Sequence, residues 1–148
     1  MDAYIVIGNP NTRKSSLVRS LTGCFNRSVR DILPEGGKHP LRVYARVGAL
    51  QETRTGLDDF LIEAGKTRCS TVLCCLLPSA HPTVPEQCPD ALAYLEGFKA
   101  AGWRIVSIAV LGQNSGAVRS AQLRQFTQAS TDPINATARA VRAHFGWA

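Results

Sequence analysis

Nowhere in these 148 residues does an apolar run approach the roughly 18 needed for a membrane-spanning helix. An apolar stretch begins within four residues of Met1, with no basic region or small-residue cleavage site before it, so no secretory leader is expected and the chain is predicted to be soluble and cytoplasmic. C-x-x-C spacing is also missing. The five cysteines (Cys24, Cys69, Cys74, Cys75, Cys88) are odd in number, and Cys74 adjoins Cys75 inside an apolar run. Reduced core thiols suit that arrangement better than a disulfide frame. A metal site drawn from Cys69, Cys74 or Cys75, His81 and Cys88 lacks the paired spacing such sites use. Internal repeats, low-complexity segments and dense blocks of one charge are absent. Of the three histidines, His39, His81 and His144 fall in predicted loops or on a polar helix face, and no Ser-His-Asp or Cys-His set suggests itself.

What is present suffices for one core. At 16.0 kDa, with 45% apolar residues, the chain is expected to form a single domain spanning 1–148. Its net charge of +6 is uneven: residues 1–54 carry nine Lys/Arg against four Asp/Glu, 55–98 two against six, and 99–148 six against one. Basic ends can mark an anionic partner, a nucleotide or a nucleic acid, although a scattered solvated surface explains them more simply.

The apolar pattern alternates between strands and helices. "AYIVIG" (3–8) reads as a fully buried strand stopped by a glycine and Asn9-Pro10. From Lys14 onward, Leu17, Val18, Leu21 and Phe25 recur at helical spacing, with Gly23 near the end. Residues 26–40, with their glycines and prolines, are predicted to be a surface loop. "LRVYARV" (41–47) alternates as a half-buried strand, and Thr55 with Asp58 suggests a capping box before a helix carrying Leu57, Phe60, Leu61 and Ala64. "STVLCCLLP" (70–78) and "WRIVSIAVLG" (103–112) read as central strands, separated by a helix bearing Ala91, Leu95 and Phe98. Residues 124–128 are a candidate fifth strand. A last helix is predicted with Asp132 as N-cap, Pro133 at its first position, and Ile134, Ala138, Val141 and Phe145 on one face. Such alternation predicts a three-layer α/β/α fold with a mostly parallel sheet.

The most informative stretch is "GNPNTRKSSLVRSLTG", residues 8–23. In G-x-x-x-x-G-K-[ST], glycines let the backbone curl its N–H groups toward phosphate oxygens, lysine reaches the β/γ-phosphates and the hydroxyl holds magnesium. Gly8, Lys14 and Ser15 match, and Arg13 stands at the second glycine. The strand before the loop and the helix after it are the context this pattern requires. The stretch resembles the first motif of the Era and TrmE group of P-loop GTPases, agreeing at Gly8, Pro10, Asn11, Lys14, Ser15, Ser16, Leu17, Leu21, Thr22 and Gly23. The resemblance covers about a tenth of the chain. It implies a P-loop NTPase-like domain with GTP/GDP or ATP/ADP and Mg2+, or a phosphate or sulfate, held by Gly8, Asn9, Pro10, Asn11, Thr12, Arg13, Lys14, Ser15 and Ser16. Lys14 is then the catalytic cation and Ser15 a magnesium ligand.

Later motifs of that group are eroded. Its D-x-x-G falls at Ala45-Arg46-Val47-Gly48, where only the glycine survives, and its guanine-reading N-K-x-D falls near Leu111-Gly112-Gln113-Asn114, which offers no aspartate. Glu52, Asp58 and Asp59 are the remaining candidates for magnesium, Glu52 first among them. A side chain at position 13 either strains and crowds the loop or binds phosphate through its fixed charge. Three readings follow: a nucleotide- or phosphate-binding protein with weak or absent hydrolysis, a non-hydrolysing pseudo-GTPase scaffold for a protein partner, and, least supported, a basic nucleic-acid-binding module, which has no aromatic platform behind it.

Overall fold

A computed structural model describes residues 1–34, 36–37 and 39–147. The first apolar run forms β1, Asp2–Gly8, and its residues from Ala3 to Gly8 are all buried. Successive side chains of a strand point to opposite faces, so Tyr4 and Val6 enter one core cluster while Ala3, Ile5 and Ile7 enter the other. Two layers of helix must therefore cover this strand. After it come α1 (Lys14–Thr22), β2 (Arg27–Ile32), β3 (Leu41–Ala49), α2 (Leu57–Lys66) and β4 (Thr71–Leu76). The chain ends with α3 (Ala91–Ala100), β5 (Arg104–Leu111), β6 (Leu123–Phe126) and α4 (Ile134–Phe145).

The six strands lie in the order β2-β3-β4-β1-β5-β6, parallel throughout except for the antiparallel β2–β3 pair. One face carries α1 and α4, whose Leu17, Val18, Leu21, Ala138, Val141 and Phe145 pack with Tyr4, Val6, Leu73 and Cys75. On the opposite face α2 and α3 bring Phe60, Ala64, Tyr94, Leu95 and Phe98 against Ile5, Ile7, Cys74 and Leu76. This is the expected α/β arrangement, with β4 and β5 flanking β1 at the centre. Cys74 and Cys75 take opposite faces for the same alternating reason, and all five cysteines are free and buried. Among the described residues no three His, Cys, Asp or Glu side chains group to hold a metal, and no helix is long and apolar enough to cross a membrane.

Several local expectations are corrected. The predicted loop 26–40 contains β2, an edge strand that pairs with β3 from Arg27↔Arg46 to Ile32↔Leu41. Only Val29 and Ile32 are apolar within it, so no strand pattern was visible. Within that loop, Glu35 and Lys38 lie outside the described residues. Phe25 does not extend the α1 stripe: Gly23 turns left-handed (φ 73°) and ends the helix, leaving Phe25 72% exposed. β3 is not half-buried, because Tyr44 and Arg46 on its second face lie beneath α2 and are buried too. Gly56, not Thr55, caps α2, since the Thr55 hydroxyl accepts from Arg46 at 2.8 Å. Likewise Pro133, not Asp132, is the N-cap of α4.

Candidate functional site

β1 ends at Gly8 level with Leu111 of β5, and the chain turns out of the sheet through residues 9–13 into α1. Gly8 has a steric reason to be glycine. A Cβ there would collide with the Thr12 hydroxyl, which folds back to donate to the Asn9 carbonyl at 2.7 Å. Along residues 11–14 the sign of φ alternates, positive at Asn11 (63°) and Arg13 (71°) and negative at Thr12 and Lys14. Alternation of this kind makes a backbone nest, a concavity into which successive N–H groups point. None of the six amides of residues 11–16 donates to an acceptor among the described residues. The N-terminal partial charge of α1 adds to the same spot.

Lys14 lies over this concavity with its side chain only 4% exposed. Its Nζ donates to the Asn9 carbonyl at 2.8 Å and stands 3.7 Å from Glu52 Oε1, so one of its three N–H donors is used in a hydrogen bond. Burial pulls the Lys14 pKa below the ordinary lysine value, while the Glu52 carboxylate opposes that shift. A cleft of about 220 Å³ opens here, lined by residues 11–16 and Glu52. Ser15 therefore shares the cleft with Glu52, and no hydrogen bond from its hydroxyl occupies it among the described residues. Asp58 and Asp59 line a different cleft with Glu86 and Gln87.

Arg13 does not enter the loop. Its guanidinium turns toward the segment between β6 and α4 and donates to the carbonyls of Asp132 at 2.7 Å and Ala129 at 3.3 Å. The left-handed backbone at this non-glycine residue costs about 1–3 kcal/mol, which these bonds help to offset. On the β5 side, Asn9 Oδ1 accepts from Asn114 Nδ2 at 3.2 Å, and Asn114 Oδ1 accepts from the Gly116 amide at 3.0 Å. The loop is thus fastened to both neighbouring connections.

The register explains why the D-x-x-G position fails. Ala45 pairs with Leu73, which pairs with Tyr4, so it lies four residues short of Gly8 along the strand direction, about 13 Å. It is also wholly buried. An aspartate there would sit in the core and not at the loop. Glu52 reaches Lys14 from further along, even though β4 separates β3 from β1. Gln51 makes this possible: fully buried, it donates through Nε2 to the carbonyls of Leu77 (2.9 Å) and Pro89 (3.1 Å) and accepts from the Leu77 amide (2.9 Å). The turn 50–56 is further held by Arg46, which bonds Thr53 and Thr55 and pairs with Glu63 at 2.8 Å, and by the Tyr94 hydroxyl on the Thr55 carbonyl at 2.6 Å. Sequence reading missed Gln51 and Arg46, because a glutamine in a polar turn and an arginine in an alternating strand both look solvated.

His81 and His144 are engaged away from the loop. His81 Nδ1 accepts from the Thr83 and Val84 amides, and His144 Nε2 bonds the Ile108 carbonyl. The fold and loop together define an α/β protein whose central strand opens into a fastened, amide-lined turn. Neither a scan against models of known protein families nor a search of curated proteins finds a match to this chain.

Proposed function

We propose that this chain is a GTPase-like P-loop protein that binds the phosphates of a ligand in residues 8–16, with weak or absent hydrolysis. One observation carries the reading: six consecutive amides that no protein group accepts, four of them on residues at least partly buried, beside a buried ammonium. The first amides of a helix have no partner within it, and an anion at this end supplies one. Gly8 permits the turn, Asn9 and Thr12 brace it, and Lys14 adds the charge. The amides of residues 11–16 would meet the phosphate oxygens.

The donor set suits magnesium when phosphate is bound. Ser15 and Glu52 contribute a hydroxyl and one carboxylate to a single cleft, and Mg2+ commonly takes one or two carboxylates with phosphate and water completing its shell. The ion would neutralise phosphate charge. Residue 45 offers no second carboxylate, and phosphoryl transfer depends on positioning and charge neutralisation, so turnover suffers more than binding. Five free cysteines agree with a reducing, cytoplasmic setting.

One observation favours the scaffold reading instead. Lys14 is already partnered by Asn9 and Glu52, and Arg13 by two carbonyls, so internal groups engage both cations of the loop. Calorimetric titration decides between the two. Wild-type protein is titrated with GTP, GDP, ATP and inorganic phosphate, each with and without Mg2+. Binding of at least one, weakened about 10- to 100-fold in Lys14→Ala as loss of a charge-assisted hydrogen bond implies, supports the site. No heat from any of them leaves the scaffold.

A further inference from the structure

We infer that the loop takes a short phosphate anion carrying no base, such as inorganic phosphate or pyrophosphate, and that a nucleoside adds nothing to its affinity. This rests on the reading of residues 8–16 as an anion site and names its ligand class. The cleft of about 220 Å³ is lined by residues 11–16 and Glu52. Its volume equals roughly seven waters at ~30 Å³ each, the scale of one or two phosphate groups. Pockets that enclose drug-sized ligands run to about 300–1,000 Å³ and are lined mainly by apolar and aromatic side chains. Here no apolar and no aromatic residue lines the cleft, so a base has no surface on which to stack within it.

The flanks are fastened by hydrogen bonds. Toward β5, the Asn9–Asn114 hydrogen bond spans the gap, and Asn114 spends its remaining oxygen on the Gly116 amide. Gly116 itself is pressed against the backbone of Pro78, where even a methyl group would collide, so this connection has little room to retreat. Toward α4, the Arg13 guanidinium crosses from the loop to the carbonyls of Asp132 and Ala129. Opposite these, Glu52 stands in a turn held by Gln51 and Arg46. Beside the free amides, the cleft is lined by the Asn11, Ser15 and Ser16 side chains, which have no hydrogen-bond partner among the described residues. A small anion satisfies those amides, whereas a nucleoside attached to it gains no apolar contact within this cleft.

The test is calorimetry on the full chain with Mg2+ present, using inorganic phosphate, pyrophosphate, tripolyphosphate, ADP, GDP, ATP and GTP. Pyrophosphate is expected to bind within threefold of GDP and ADP or tighter, and tripolyphosphate likewise against GTP and ATP, with no preference between guanine and adenine. Nucleotides tighter than the matched base-free chain by more than threefold, or a clear preference for one base, overturn the inference while leaving the loop an anion site. Absence of binding by every compound overturns both. The variant Arg13→Gly, which keeps the left-handed backbone accessible and removes the guanidinium, is expected to shift the ratio toward nucleotides by about fivefold or more. An unchanged ratio in a folded Arg13→Gly protein removes Arg13 from a role in excluding nucleotides.

Discussion

Lys14 is the residue on which the proposed anion site turns, and its burial has a consequence for pH. Desolvation lowers its pKa from the ordinary 10.5, Glu52 only partly opposing this, so the free protein gives up the ammonium proton at a lower pH than an exposed lysine does. An anion in the loop favours the charged form and raises the pKa again. Affinity is therefore full below the lowered value and falls as pH rises through it, with proton uptake on binding in that window. Sulfate, whose charge is constant there, is the probe: its affinity should fall before pH 10.5 in wild type and stay level in Lys14→Arg, whose guanidinium remains charged. A wild-type affinity that is flat to pH 10.5 would contradict a role for Lys14. Among single residues, Lys14, Ser15 and Glu52, all candidates from sequence, line one cleft. Sequence reading left Arg13 open between strain and phosphate binding. The structure adds a third arrangement, a tether to carbonyls 116 and 119 positions away, a distance in sequence over which no local pattern carries information.

At the scale of elements, the turn 50–56 is the part that sequence served least well. Motif register pointed to Ala45, but β3 continues to Ala49 and only then turns toward the loop. The decisive side chain is Gln51, whose three hydrogen bonds join this turn to the end of β4 and the approach to α3. Gln51→Leu keeps the bulk and removes all three, leaving the Leu77 amide and two carbonyls without these partners. It is expected to cost about 2 kcal/mol, which lowers Tm by about 4–8 °C in a chain of this size. Thermal unfolding of the variant checks this, and an unchanged Tm would mean that water replaces the amide. Strands β1, β4 and β5 were legible because burial on both faces demands continuous apolar runs. β2 was not, since an edge strand buries little and need not look apolar.

For the whole molecule, the alternation of strand and helix was enough to foresee helices on both faces of a mostly parallel sheet, because parallel neighbours need crossovers. Strand order was not legible. β4 enters between β3 and β1, and nothing in the period of the side chains distinguishes one central strand from another. The fastening of the loop to residues 114, 129 and 132 also sets a timetable. β2 and β3 meet across a short connection, whereas β1 must wait for β4 and β5, and the Asn9 and Arg13 bonds span 105 to 119 residues. Contacts so remote in sequence form late, after shorter closures have reduced the search. During refolding, pulse-labelled amides of the β2–β3 hairpin should gain protection before those of β5, and sulfate binding should return no sooner than the β5 amides. Earlier return of binding would show that the turn holds its curl unaided. On this ordering a ribosome-bound chain that has emitted only its first hundred residues already carries residues 8–16 and Glu52, yet the loop acquires its fastened shape only after residues 114 to 132 have emerged.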